Sequence, residues 1–381
     1  MTASSGTGLS AKGGALHAAV LPGEVRLAAT DAEGTLLDYM IWRPGAPEGV
    51  GDLHLGRVIA AAPSLGGAFV ALAEGEGFLP FRAGGKGVTP GERVVVRITR
   101  AAQGGKGPRL AREAMTPPEG PLRRLAEGPS PLALLLERHD PGRIVTDDPA
   151  LIASLPPAWR GRAELRESAF DEALAEEVAA LYEPSQLLPG GAVAHVHPTP
   201  ALTAIDIDWP GGGPRGSEER GAEKEAQLRL NRALLPALAR LIRLRNLGGA
   251  ILIDAAGLKS KARAALGPAL AASLGADPLK PKFLGFTALG LAEIVRPRLY
   301  APLHERLEGP HAAALAGLAA LWQSTRRRPG PPPRLRLAPD AAETLGRDPV
   351  ALAEFRRLAG FAARVESDPA LPPATFRLAE P

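Results

Sequence analysis

Apolar and polar positions alternate in short runs through the first third of the chain. Over residues 23–45 the alternation predicts a hairpin with its turn at Ala32–Gly34. Residues 51–101 continue with LHLGRVIAAAP, GGAFVALAE, EGFLPF and ERVVVRITR, short strands separated by glycine and proline. That spacing predicts a five-stranded barrel of the oligonucleotide-binding type (an OB-fold), one face of which takes single strands. Residues 1–15 read as a flexible leader, and 116–131 as a proline-rich linker. DPGRIVTDDPALIASL then predicts strand, turn and helix, with Asp147 or Asp148 as the N-cap and Pro149 in the first turn. Residues 168–183 have the periodicity of an amphipathic helix.

In the second half, LPGGAVAHVHPTPALTAIDIDW (188–209) predicts two strands of one hairpin. A polar, glycine-rich loop follows at 210–221, then a long helix at 222–245 with Pro236 as a kink. Asn246 or Gly248 can end that helix in a left-handed conformation. GGAILID (248–254) is a short apolar strand that stops at Asp254, and 258–274 reads as a helix. Residues 282–299 predict a strand and then a helix, 323–333 a linker, and 334–381 a small αβ unit.

The chemistry lies where apolar strands end in acids. In LTAIDID, Asp206 and Asp208 are two residues apart and so point to one side of a strand. Asp254 ends the next apolar strand after a helical crossover, the arrangement of adjacent parallel strands. Such an Asp-x-Asp is costly on an apolar strand unless paired. Three carboxylates in one cleft repel unless a cation relieves them, and a hard divalent metal does so. The structural alternative is that each aspartate simply caps a turn or a helix.

Composition narrows the classes. The 381 residues contain no cysteine, which removes disulfides, thiolate metal sites and cysteine nucleophiles together. The apolar run Ala312–Trp322 is too short to span a bilayer, and residues 1–20 lack the apolar core of a signal peptide, so a cytoplasmic location is expected. Net charge is +4, yet residues 51–110 alone carry eight Lys/Arg against four Asp/Glu. A locally basic barrel points to nucleic acid. GGGPRG (211–216) lacks the Gly-Lys-Ser/Thr ending of a nucleotide-binding loop and reads instead as a mobile loop over the cleft.

At these residues the sequence resembles the ribonuclease E/G family. LTAIDID, RLIRLRNLGGAILID (240–254) and LGFTALGLAEIVRPRL (284–299) are similar to three family segments in the family's order. Asn231 falls where the family has an Asn, and GDLHLGRVIAAAPSLGGAFVALAEGEGFLPF is similar to its RNA-binding OB-fold. The resemblance implies a mixed α+β fold with an OB-fold barrel at 51–110 and an RNase H-like/DNase I-like α/β catalytic region. By that scheme 1–22 is a leader, 23–50 and 111–187 an RNase H-like scaffold remnant, 188–322 the catalytic domain and 334–381 a small αβ unit.

The resemblance also implies a Mg²⁺-dependent endoribonuclease (Mn²⁺ as substitute) that cuts single-stranded RNA to 5′-phosphate and 3′-hydroxyl ends. Asp206 and Asp254 take the metal positions. Asp208 stands where the family has Asn, and an ionised Asp cannot donate the hydrogen bond an Asn can. Phe69, Phe78 and Lys106 match RNA-contacting positions, and Arg243, Arg245, Arg296 and Arg298 are candidate phosphate contacts. His195 and His197, on one strand face, are expected to have a surface or hydrogen-bonded role.

Several family acids are replaced, in VHPTP (196–200) and NRALL (231–235). Residues 110–130 are too short for the family's 5′-monophosphate pocket, so no 5′-end sensing is expected. Without cysteine the family's zinc link cannot form; no zinc is expected, and any homodimer is not zinc-linked. RNA-decay partners, a membrane-free life and the alternative of a catalytically impaired RNA-binding or assembly protein complete the expectations.

Overall fold

The computed structural model describes residues 13–209, 220–255, 258, 260–327 and 331–380. Strands are numbered in chain order. The first nine are β1 (Ala15–Leu21), β2 (Glu24–Thr30), β3 (Leu36–Trp42), β4 (Leu53–Ala62), β5 (Gly67–Ala71), β6 (Glu76–Pro80), β7 (Arg93–Arg100), β8 (Arg109–Arg112) and β9 (Arg123–Ala126). Next come β10 (Arg143–Thr146), β11 (Ala163–Leu165), β12 (Ser185–Leu187), β13 (Val193–Pro198), β14 (Thr203–Asp208), β15 (Gly249–Asp254), β16 (Lys282–Phe286) and β17 (Ala292–Arg296). The last three are β18 (Arg334–Leu337), β19 (Val365–Ser367) and β20 (Phe376–Ala379).

The chain divides into two compact units, one of residues 1–18, 28–40 and 138–298, the other of 19–27, 41–137 and 299–381. The first unit holds a six-stranded mixed sheet in the order β12-β13-β14-β15-β17-β16. Its alternation is plain in β14, where Ile205 and Ile207 are buried while Asp206 and Asp208 are exposed. Ile251 and Ile253 repeat the pattern in β15. The crossover between β14 and β15 is the helix Arg220–Leu244, which runs through Pro236 unbroken. Pro236 is exposed, so its missing N–H falls on the solvent side of the helix. Asn246 ends the helix at φ +49°, as expected.

Parallel pairings of β1 with β10 and of β10 with β11 also belong to this unit. Asp148 caps the helix Pro149–Ser154, its side chain accepting from the Ala150 N–H with Pro149 in the first turn. A cap of this kind contributes about 1 kcal/mol.

In the second unit β5, β6, β8, β7 and β4 pair in that order, and a β4–β5 pairing closes the barrel. The strand β9 adds to β4 inside what the sequence reads as a linker. The barrel interior is aliphatic: Val58, Val70, Leu79, Val94, Val96 and Leu110 are buried together. Toward the C-terminus β18 lies between β19 and β20, with Leu335, Leu337, Leu345 and Phe355 buried together.

Three expectations change. Residues 282–299 form no helix: β16 and β17 are an antiparallel hairpin turning over Thr287–Gly290. Thr287 Oγ1 accepts from the Leu291 N–H, and Gly290 takes φ +87°. The leader, read as far as residue 22, contains β1, paired on the strand β10. The helix expected over 168–183 spans Glu172–Ala180, because Asp171 accepts from the Leu174 N–H and sets its start. The glycine-rich segment 211–216 lies outside the described residues.

Candidate functional site: a carboxylate row and a basic aromatic face

The two strands that end in acids are neighbours. Parallel pairing of β14 with β15 places Thr203 opposite Ile251 and Asp206 opposite Asp254. Paired residues of adjacent strands share a sheet face, so Asp206, Asp208 and Asp254 stand on one side, about 4.8 Å apart from strand to strand. Asp206 and Asp208 are exposed and Asp254 is half-exposed.

Their partners differ. Among the described residues Asp206 has no ion pair. Asp208 Oδ2 lies 3.5 Å from His195 Nε2. Asp254 Oδ1 receives Arg263 Nη1 at 2.5 Å. The arginine is itself anchored, donating from Nε to Leu258 O at 2.8 Å and from Nη1 to Gly290 O at 3.2 Å. As they stand, no three His, Cys, Asp or Glu side chains among the described residues are gathered closely enough to hold a metal. The donor set is nonetheless of the right type: oxygen donors on one face are what a hard divalent ion takes.

The expected arginines divide by environment. Arg243, Arg245 and Arg296 are 6%, 7% and 3% exposed, so none presents its guanidinium to a ligand. Arg243 donates to Leu37 O at 3.1 Å, while Arg240, outside the expected set, donates to Leu36 O at 2.9 Å. Both carbonyls belong to β3, an edge strand of its sheet, whose outward groups need partners. Arg245 donates to Glu183 O. Arg296 donates to Asp277 Oδ2 at 2.7 Å, to Asn246 Oδ1 at 2.8 Å and to Leu247 O at 3.2 Å, tying β17 to the end of the crossover helix.

Burial lowers the pKa of Arg243 and of Arg245 from the ordinary value, with nearby carboxylates opposing. Arg298 is half-buried and lies over the Gly248-Gly249 pair: a Cβ on Gly249 would be 2.3 Å from its Nε. The glycine doublet of the LGGAILID segment is therefore where Arg298 crosses the backbone. Asn231 is buried in the crossover helix and donates from Nδ2 to Gln227 O at 3.0 Å.

On the barrel, register lines up one row across four strands. Phe69 pairs with Phe78, Phe78 with Arg109, and Arg109 with Arg100. The two phenyl rings meet edge to face with centroids 5.5 Å apart, and both are half-buried. Gly67 leaves room for Phe78, since a Cβ there would be 2.4 Å from the ring. Lys106 is exposed at a tight turn, Gln103 pairing with it across Gly104 and Gly105 at φ +58° and +69°.

Some of the barrel's cations are paired with its own acids. Arg97 and Arg112 are engaged by Glu113 and Glu92. Among the described residues Arg57, Lys106 and Arg109 have no ion pair. Arg109 was not singled out from sequence; its position opposite Phe78 depends on the parallel β6–β8 contact, which no local pattern signals.

Comparison with known proteins places the resemblance on the unit that carries the carboxylates. Residues 155–299 match the Ribonuclease E/G family. Ribonuclease E of Nostoc sp. strain PCC 7120 is 33% identical over 145 residues, which is 38% of this chain and 20% of that protein. Ribonuclease E of Synechocystis sp. strain PCC 6803 is 34% identical over 125 residues, 32% of this chain and 18% of that protein. The matched stretch thus spans about a fifth of either relative. It contains Asp206, Asp208 and Asp254. Among the described residues no helix is long and apolar enough to cross a membrane.

Proposed function

We propose that this protein is a divalent-cation-dependent endoribonuclease acting on single-stranded RNA in RNA processing or decay. The observation that carries the reading is the in-register pairing of Asp206 with Asp254 inside the stretch similar to the Ribonuclease E/G family. Asp206 and Asp254 would hold Mg²⁺ or Mn²⁺, with Asp208 beside them. When bound, such an ion supplies a polarised water and charge for a phosphoryl oxygen. To serve it, the Asp254 carboxylate has to share or release Arg263. On the barrel, Phe69 and Phe78 stack bases, while Lys106 and Arg109 neutralise phosphates. Arg243, Arg245 and Arg296 are left out of the RNA contacts, and Arg298 stays at the strand β15 end as a candidate. The products carry a 5′-phosphate and a 3′-hydroxyl. No 5′-end sensing is assigned, so 5′-monophosphate and 5′-hydroxyl RNAs are cut at equal rates.

End-group analysis of products from a short unstructured RNA tests this. Labelling that finds 5′-hydroxyl or cyclic-phosphate ends, or cutting that survives chelation of divalent ions, rejects the proposal. A second reading is favoured by one observation, the Arg263 guanidinium already seated on Asp254. In it the chain keeps the fold and binds RNA without cutting it; RNA binding with no ion-dependent product is its signature.

A further inference from the structure

The second unit contains a cavity of about 1070 Å³, and every residue that lines it belongs to that unit. Its walls come from the segment 41–50 after β3, from the start of β4, from β9 and the residues that follow it, and from Arg306, His311 and Asp348. Small-molecule sites occupy about 300–1,000 Å³, so the space matches an organic ligand of the larger kind and far exceeds a single ion.

Of the lining acids, Asp52, Glu127 and Asp348 are engaged. Asp52 Oδ1 accepts from the Gly128 N–H at 2.6 Å, and its Oδ2 is 3.4 Å from Arg124 Nη1. Glu127 pairs with Arg124 as well. Asp348 Oδ1 accepts from the Ala351 N–H at 2.9 Å, and its Oδ2 is 2.9 Å from His311 Nε2. Arg306 is the exception among the cations. Among the described residues it has no ion pair, and its Nε is shut off from solvent without a hydrogen-bond partner. Burial lowers its pKa, with Glu48 opposing. Burial also raises the pKa of Glu48, which favours the neutral acid, and that carboxyl accepts from the Ala301 N–H at 2.6 Å. Glu74, the last lining acid, is exposed. A guanidinium withdrawn from water without a counter-ion is costly, and an anion in the cavity relieves it.

The rest of the lining includes Trp42, Tyr300, Leu72 and Val350, an apolar and aromatic wall. Pro108 lines the cavity too, and its carbonyl accepts from the Phe78 N–H at 2.9 Å, so the cavity adjoins the Phe78–Arg109 row of the barrel. An apolar wall beside an arginine that lacks a counter-ion suits an aromatic phosphate ester. We propose that the cavity binds a nucleotide, its phosphate on Arg306 and its base against the apolar wall. The nucleotide is either free or one unit of an RNA strand held on the barrel. The carboxylate row takes no part in this site.

Calorimetric titration of the full chain with adenosine 5′-monophosphate tests this. We expect saturable one-site binding to the wild type, weaker by about 10-fold or more for adenosine and for Arg306→Met. Phe78→Ala should bind the nucleotide as the wild type does, which separates the cavity from the barrel face. Arg306→Met should keep the wild-type urea midpoint, because the lost guanidinium leaves no carboxylate unpaired. Should that variant not fold, photolabelling of the wild type with 8-azidoadenosine 5′-monophosphate decides: label within 41–50 or 300–350 supports the site, and label confined to β5, β6 and β8 overturns it. A ten-nucleotide RNA with a 5′-hydroxyl end distinguishes the sources, since it displaces the mononucleotide if the site takes a strand and leaves it bound if the site takes a free nucleotide. No saturable binding to the wild type, equal binding of adenosine, or equal binding by a folded Arg306→Met overturns the proposal. The endoribonuclease reading, tested by its own end-group analysis, is unaffected by that failure.

Discussion

Arginine in this protein serves two opposite ends, and burial decides which. Arg296 and its carboxylate partner Asp277 are each 3% exposed at the side chain. Removing one partner of a buried pair leaves the other charge uncompensated, which costs about 3–5 kcal/mol. Arg296→Ala should therefore lower unfolding free energy by that order in a urea titration; an unchanged midpoint with weakened RNA binding would restore the phosphate role expected from sequence. Arg109 is the counterpart. Arg109→Ala should leave the urea midpoint unchanged and lower RNA affinity, with the salt slope of binding falling by about one unit. Phe78→Ala should cost about 1–3 kcal/mol of single-strand affinity. The aspartates were legible because a two-residue spacing fixes a strand face whatever the tertiary partner. The arginines were not, because RLIRLRN has the same letters whether its guanidinium groups meet phosphates or the carbonyls of β3.

At the scale of elements, turn chemistry and capping account for the gains and the misses. Proline and glycine marked the barrel strands, and the Asp148-Pro149 start was readable as a cap. LGLAEIVR failed as a helix because Glu293, Ile294 and Val295 serve β17, and the turn Thr287–Gly290 is closed by a side-chain bond with no fixed sequence signature. The strand β1 pairs with β10, more than a hundred residues on, and also with the adjacent β2 across a two-residue turn, a local signal that the reading of a leader passed over.

Burial of titratable groups on these elements gives stability a pH dependence. His17 on β1 accepts burial in its neutral form: desolvation lowers its pKa below the ordinary 6.5, outweighing the bond to Ala169 O. Burial lowers His54 and His311 in the same direction. Below about pH 6.5 the unfolded chain thus binds protons that the fold does not, so stability holds above that pH and declines beneath it. Burial works to raise Asp38, but His139 and Arg138 outweigh it and hold the carboxylate below its usual range. Glu24 is likewise opposed by burial and held low by Arg43 and Arg26. Their contribution is present above the ordinary carboxylate range and is lost as pH falls through their folded values. Melting temperature followed from pH 8 to pH 4 should be level to about pH 6.5 and then fall; a level curve from pH 7 to pH 5 would contradict the assignment of the histidines.

Across the whole molecule the two compact units differ in what they carry: one the carboxylate row and the matched family stretch, the other a basic barrel face with two phenylalanines that meet edge to face. Both were readable from local pattern, the barrel from punctuation and charge, the row from strand–helix–strand logic. What the pattern could not carry was the Arg263 clamp, since it joins Asp254 to a side chain whose own anchors are the carbonyls of Leu258 and Gly290. The central claim is that Asp206 and Asp254 act together on one ion to cut RNA bound by the barrel. The rate of cleavage of a fluorescent unstructured RNA by Asp254→Asn, measured beside its RNA affinity, tests it most directly. The account predicts that cutting is abolished with affinity unchanged; a variant that cuts as fast as the wild type at the same Mg²⁺ or Mn²⁺ concentration would contradict it.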